Sequence, residues 1–285
     1  MAVEVLTDST SYINKDIIEK LNINIVSLSV RFDDVSFKET EIDNESFYKM
    51  MDEKGIPISS QPSAGEMYVE MEKVVKRGNS LLAVFISSEM SGTCQTAHMA
   101  RKMILEKYKD AEIEIVDSRS NSMQLGFAVI SAAKAAKDGK SLLEVKEAAE
   151  SNLKKSRFLF IPKNLVYLKK GGRIGGANAL IGNLLKIIPI LTVENGNASV
   201  FTKVRTKQRA IKTMAQKMFQ DINDFGLGEI VIHNINCYDE AKELAEYIME
   251  KLKVNINICD IGPVIGLHVG PGAIGIVYYT KEDLR

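Results

Sequence analysis

The sequence predicts an α/β protein in which two lobes enclose a cleft. Three observations lead there. Short β-rich runs alternate with amphipathic helical stretches along the chain. Hydroxyl-rich loops recur directly after strands. Two glycine-dense segments follow a change of composition near Ser156.

The elements follow from those patterns in order. Strands are expected at Val3–Leu6, Ile25–Val30, Leu81–Ile86, Glu112–Val116, Phe158–Ile161, Ile190–Val193, Glu229–His233 and Ile274–Tyr279. Helices are expected at Met67–Arg77, Thr93–Lys107, Gln124–Asp138, Leu142–Ser156, Lys207–Asp221 and Asp239–Lys251. Ser63 and Glu66 have the spacing of a capping box, in which each side chain satisfies the other's orphan backbone N–H. No Pro/Ser-rich linker interrupts the chain. The expected boundary therefore lies where a long helix gives way to an apolar strand, dividing residues 1–156 from 157–285.

Bulk properties narrow the function classes. At 285 residues, the chain is long enough for a proper apolar core, and 45% hydrophobic with 26% charged residues is a globular balance. Lys+Arg and Asp+Glu both number 37, so no overall basic excess calls for nucleic acid, although a local basic patch is compatible with that balance. Cys94, Cys237 and Cys259 are odd in number and widely spaced, which suggests neither a disulfide framework nor a zinc site. Met1 leads straight into a strand without a charged and then apolar leader, and no apolar run approaches the roughly 20 residues of a membrane span. A cytoplasmic protein is expected.

Candidate chemistry gathers in loops. Thr7-Asp8-Ser9-Thr10-Ser11, Ser87 to Thr93 and Asp117 to Ser122 each follow a strand, and Ser59-Ser60-Gln61-Pro62-Ser63 leads into a helix. In open α/β sheets ligands bind beyond the carboxyl ends of strands, where helix N-termini offer free N–H groups that suit an anion. Equally, Ser, Thr and Asp before a helix serve as N-caps worth about 1 kcal/mol each. Residue types alone do not name the ligand.

The glycine segments carry the same ambiguity. Lys169-Lys170-Gly171-Gly172-Arg173-Ile174-Gly175-Gly176 lacks the GxxxxGK spacing of a nucleotide loop and the framing of a dinucleotide fingerprint. Arg173 reads as a phosphate contact or as a solvated turn charge. Of the three histidines, His98 falls in a helix and His233 ends a strand, which suits structural or surface roles. His268 lies in Gly266-Leu267-His268-Val269-Gly270-Pro271-Gly272. That segment reads as too glycine-rich for a helix, and a titratable group on such a loop is the better functional candidate. No metal-ligand spacing is present.

Taken together, Thr7-Asp8-Ser9-Thr10, Ser60-Gln61-Pro62-Ser63, Ile86 through Thr93, Val116-Asp117-Ser118, Tyr167 through Ile174 and His268 through Gly272 resemble the successive signatures of the DegV family. They occur in family order across nearly the whole chain. The family includes the fatty-acid-binding subunits of the bacterial fatty acid kinase. The resemblance implies a DegV-like fold with a lipid-binding cleft or tunnel. It also implies a carboxylate site at Ser59 and Ser91, with Ser60, Gly92 and Thr93 as neighbours. Family members commonly carry Thr at the position of Ser59; Ser keeps the donor but loses the methyl that stiffens χ1. Arg173, Arg205 and His268 match family positions implied to serve kinase engagement or phosphoryl transfer, with Arg209 a weaker substitute for Arg205. ATP and Mg would belong to the kinase, so no resident cofactor is expected. The implied partners are a long-chain fatty acid and the kinase, with room for transient membrane-surface contact.

Two other readings remain open. One is a stand-alone binding or sensor protein for another amphiphile. The other is a self-sufficient phosphotransferase or hydrolase using Ser91 and His268, which the lack of a GxSxG elbow opposes.

Overall fold

The computed structural model describes residues 2–180 and 187–284. In chain order the strands are β1 (Val3–Asp8), β2 (Ile23–Val26), β3 (Ser29–Arg31), β4 (Ser36–Lys38), β5 (Ile58–Ser60), β6 (Ser80–Phe85), β7 (Ile113–Asp117), β8 (Ser156–Ile161), β9 (Ile188–Glu194), β10 (Asn197–Val204), β11 (Leu227–Asn234), β12 (Asn257–Asp260) and β13 (Ile274–Thr280). The helices are α1 (Lys15–Leu21), α2 (Asn44–Lys54), α3 (Ala64–Lys76), α4 (Thr93–Lys107), α5 (Ser122–Lys137), α6 (Leu142–Lys155), α7 (Val166–Lys170), α8 (Lys207–Phe225), α9 (Tyr238–Leu252) and α10 (Pro263–Val269).

Three sheets result. One is all parallel, in the order β2-β1-β6-β7. The second is a small antiparallel sheet, β4-β3-β5. The third runs β10-β9-β8-β13-β11-β12 and is antiparallel except for the β11–β12 pair. Strands up to Asp117 and strands from Ser156 thus fall in different sheets.

The layers follow from the amphipathic faces. Helices α3 and α4 cover one face of the parallel sheet, burying Met67, Met71, Ala97 and Ile104 against Leu6, Leu81 and Phe85. On its other face α5 and α6 lie between the parallel and six-stranded sheets and touch both. Helices α8 and α9 cover the outer face of the six-stranded sheet. α5 is buried nearly all round over its first half, as a helix sandwiched between two sheets must be. The capping box of Ser63 and Glu66 forms as its spacing predicts.

Two expectations need correction. The single strand Ile25–Val30 is divided between β2 and β3, which belong to different sheets. The break falls at Ser27-Leu28, where the Leu28 N–H donates to Ser9 Oγ and the Leu28 carbonyl accepts from the Glu39 N–H. Loop partners therefore take the backbone groups a continuous strand would have used. The second correction concerns His268, which lies in helix α10 rather than in a loop. Pro263 starts that helix, and its missing N–H costs nothing at a first-turn position. A Cβ on Gly266 would stand 2.1 Å from the Tyr48 hydroxyl, so this glycine is a packing contact rather than a helix breaker.

Candidate functional site

Where α5 begins, the inner face of the six-stranded sheet loses its helical cover. A cavity of about 320 Å³ opens there, within the range of small-molecule sites. Its walls are mostly apolar, with Phe158 and Phe160 from β8, Val193, Ile235, and Val264 and Ile265 from α10. Ser59, Ser60, Gln61, Ser91, Arg173 and His268 also line it. The sequence-predicted residues Ser59, Ser60, Ser91, Arg173 and His268 are therefore brought to one cavity from four separate stretches of chain.

Gly92 and Thr93 support these residues without lining the cavity. Thr93 Oγ1 lies 2.9 Å from Ser91 Oγ. Gly92 caps α4 without a side chain, and a Cβ there would meet the Gln61 amide at 2.2 Å. The Ser-Gln-Pro turn can thus seat directly on the α4 N-terminus, and Gln61 Nε2 donates to Thr96 Oγ1 at 2.9 Å to hold it there. The four hydroxyl-rich loops do not share a sheet edge. Three follow parallel strands β1, β6 and β7, whereas Ser59 and Ser60 belong to β5 of the small sheet.

His268 carries the local electrostatics. Its Nε2 lies 2.9 Å from Ser59 Oγ, and its Nδ1 is buried without a partner against Gly171, where a Cβ would stand 2.1 Å away. Burial, and then the charge of Arg173, depress its pKa to about 4, so the ring is neutral at physiological pH. An unpaired lone pair costs less here than an unpaired buried N–H, so we assign the proton to Nε2. Nε2–H then donates to Ser59 Oγ, leaving the Ser59 proton to point at a ligand. Arg173 Nη1 and Nε donate to the carbonyls of Gly171 (2.6 Å) and Met90 (3.1 Å), tying the glycine loop to the loop before Ser91. The Ser91–His268 pair that a hydrolase would need is not formed; His268 engages Ser59 instead.

Arg205 stands apart. It is exposed between β10 and α8 and does not line the cavity. Its neighbourhood carries a signal hidden by the zero net charge: from Lys154 to Lys217 the chain holds fourteen Lys and Arg but one acidic residue, Glu194. Arg209, in the first turn of α8, is exposed as well.

Sequence reasoning missed His233. It is buried, lines the cavity, and accepts from the Met123 N–H at 3.3 Å, helping to cap α5 from across the molecule. Burial depresses its pKa to about 3. A histidine in an apolar strand such as Ile230–His233 was the available signal. Among the described residues no cluster of His, Cys, Asp and Glu could hold a metal ion, and no helix is long and apolar enough to cross a membrane.

The fold and site define a mixed α/β protein with an apolar cavity closed by hydroxyls and a neutral imidazole. The chain belongs to the DegV family: the model described as "Uncharacterised protein, DegV family" matches residues 2–281. A DegV domain-containing protein of Clostridium acetobutylicum is 70% identical over 285 residues, covering 100% of both chains. The crystal structure of DegV, a fatty acid binding protein from Bacillus subtilis, superposes with a TM-score of 0.89 at 32% identity, covering 99% of this chain and 100% of that one. A structure reported for fatty acid binding of a DegV family protein from Thermus thermophilus gives 0.86 at 26% identity, covering 98% and 100%.

Proposed function

We propose that the chain binds a long-chain fatty acid, with its alkyl chain in the cavity and its carboxylate at Ser59 and Ser91. The observation that carries this reading is the division of the cavity into apolar walls and a set of hydroxyl donors with a neutral imidazole behind them. Each buried CH₂ contributes about 0.8 kcal/mol, so a long chain supplies on the order of 10 kcal/mol before ordering costs. The hydroxyls then need only fix the head group. Ser60, Gly92 and Thr93 shape that end, and the residue 1–156 lobe contributes the carboxylate donors. The likeness to fatty acid binding proteins of the same family supports the ligand class.

In the full reading this cytoplasmic bacterial protein is a carrier for phospholipid synthesis that presents the carboxylate to an ATP-dependent fatty acid kinase. A carboxylate oxygen attacks the γ-phosphorus of ATP, ADP leaves, and an acyl phosphate forms. ATP and Mg²⁺ reside on the kinase. Arg173 and His268 at the cavity and Arg205 on the surface serve engagement and stabilise charge developing on the phosphoryl group. Loading from a membrane surface fits the same carrier role.

Native mass spectrometry of the purified protein, followed by organic extraction, tests the ligand. A one-to-one adduct that extracts as a long-chain fatty acid is expected. A protein that is empty and takes up no added palmitate or oleate overturns the reading. Kinase-dependent acyl-phosphate formation from the loaded protein tests the partner.

A further inference from the structure

The Thr7-Asp8-Ser9-Thr10 loop does not line the cavity, yet its side chains are buried. Asp8 turns inward, accepting from the Thr10 N–H and Oγ1 and from the Ile86 N–H. Ser9 Oγ donates to Glu39 Oε1, and Glu39 itself is only 4% exposed. The other carboxylate oxygen reaches across the molecule. Glu39 Oε2 accepts from the Val264 N–H at 3.0 Å and from the Tyr12 hydroxyl at 3.1 Å, while Tyr12 Oη accepts from the Ile265 N–H at 3.2 Å.

Val264 and Ile265 are first-turn residues of α10, and Gly262 at its N-cap offers no side chain. Two of its orphan donors are thus satisfied by groups more than 200 residues away in sequence. At the opposite end of the same helix His268 meets Ser59. Glu39 directly follows β4 and Ser59 lies in β5, so one small sheet grips α10 at both ends.

We infer that Glu39, with Tyr12, is a positioning residue for the head-group site: it anchors α10 and thereby sets His268 against Ser59. The contact network stands on geometry alone; the consequence for ligand affinity rests on the proposed fatty acid site. Burial, with the Asp8 carboxylate adding to it, pushes the Glu39 carboxyl up to about 7. Tyr12 faces it from the turn between β1 and α1 and Tyr48 from α2, and burial, then the Glu39 charge, raises both phenols above their ordinary value. Asp8 is raised by its own burial and faces it from β1.

The chain's three histidines make the test direct. Imidazole ¹⁵N spectra of the ligand-free protein report His268, with His233 as a buried control and His98 as an exposed one. In the wild type the His268 signal is expected to shift as pH passes through about 7, well above its own titration near 4. Glu39→Gln is expected to displace the signal and abolish that step while His233 stays in place. Tyr12→Phe should displace it less, and it serves if Glu39→Gln fails to fold. Palmitate is expected to bind Glu39→Gln about tenfold more weakly. A His268 signal unchanged in both variants overturns the inference. Failure of the wild type to bind palmitate, with the His268 shifts intact, would instead remove the proposed function and leave the latch standing.

Discussion

The two faces of the six-stranded sheet use the same alternating pattern and end in different states. In β8, Leu159 and Ile161 point to the outer face and Phe158 and Phe160 to the inner one. Outside, α8 and α9 lie along the sheet, and Leu159, Ile190, Ile232, Ile276 and Tyr278 are sealed beneath them. Inside, α5 starts only at Ser122, which itself lines the cavity, and the strand surface beyond it is covered by loops and the short α10. The difference teaches that space here comes from where a helix ends, not from any change in strand composition.

Matched truncations on β11 and just beyond it should break or confirm that contrast. Ile232 is fully buried on the outer face, while Ile235 borders the cavity. Ile232→Ala opens a new void in close-packed surroundings and is expected to cost about 4 kcal/mol of unfolding free energy. Ile235→Ala merely enlarges space already present, so about 2 kcal/mol is expected in the ligand-free protein, with a shift toward bulkier acyl chains. Urea denaturation of both delipidated variants measures this. Equal costs would mean that the inner wall is packed as tightly as the outer one.

Buried titrating groups also lie on the inner side, with His233 and His268 lining the cavity and Glu39 against the first turn of α10. His268 and His233 have depressed pKa values of about 4 and 3, so each contributes stability that is present above the ordinary histidine value and lost as pH falls through its folded value. Glu39, raised to about 7, works in the opposite sense: its contribution is present below the ordinary carboxyl value and lost as pH rises through 7. The two histidines make acidification from pH 6.5 to 4 destabilising, a fall that the raised carboxyls of Glu39 and Asp8 oppose. His268→Asn is expected to remove roughly 3 kcal/mol of that fall. Parallel stability curves for the variant and the wild type between those pH values would show that the ring is not held neutral.

Why the outer face was legible and the inner one less so follows from these particulars. The alternation that places Leu159 and Ile161 opposite Phe158 and Phe160 fixes strand and faces without stating what covers each face. The helices Thr93–Lys107 and Leu142–Lys155 match their expected bounds within a residue, whereas α3 starts earlier, at Ala64, and α8 runs on past Asp221 to Phe225. α10 was not, because Gly266 looks like a breaker until Tyr48 is seen against it. Family motifs located Ser59, Ser91 and His268. They said nothing of Glu39 or His233, whose roles depend on partners more than 100 residues distant.

At the cavity mouth a smaller effect is expected. Ser91→Ala removes one head-group donor and leaves Thr93 Oγ1 without its 2.9 Å partner. Fatty acid retention should weaken by about 1–3 kcal/mol. A dissociation constant unchanged from the wild type would remove Ser91 from the site and leave Ser59 to hold the carboxylate alone.

The smallest effect on binding belongs to an exposed residue that does not line the cavity. Arg205 is exposed beyond the end of β10, within the stretch whose Lys and Arg outnumber a single Glu194. A surface charge of this kind acts on encounter with a partner, through a field that salt screens within about 8 Å at physiological ionic strength. Arg205→Ala should therefore leave fatty acid affinity within error of the wild type. Kinase-coupled turnover should fall, and the gap between variant and wild type should narrow as salt is raised. Parallel loss of binding and turnover would tie Arg205 to the integrity of the cavity instead, and would place the docking charge elsewhere in the basic stretch.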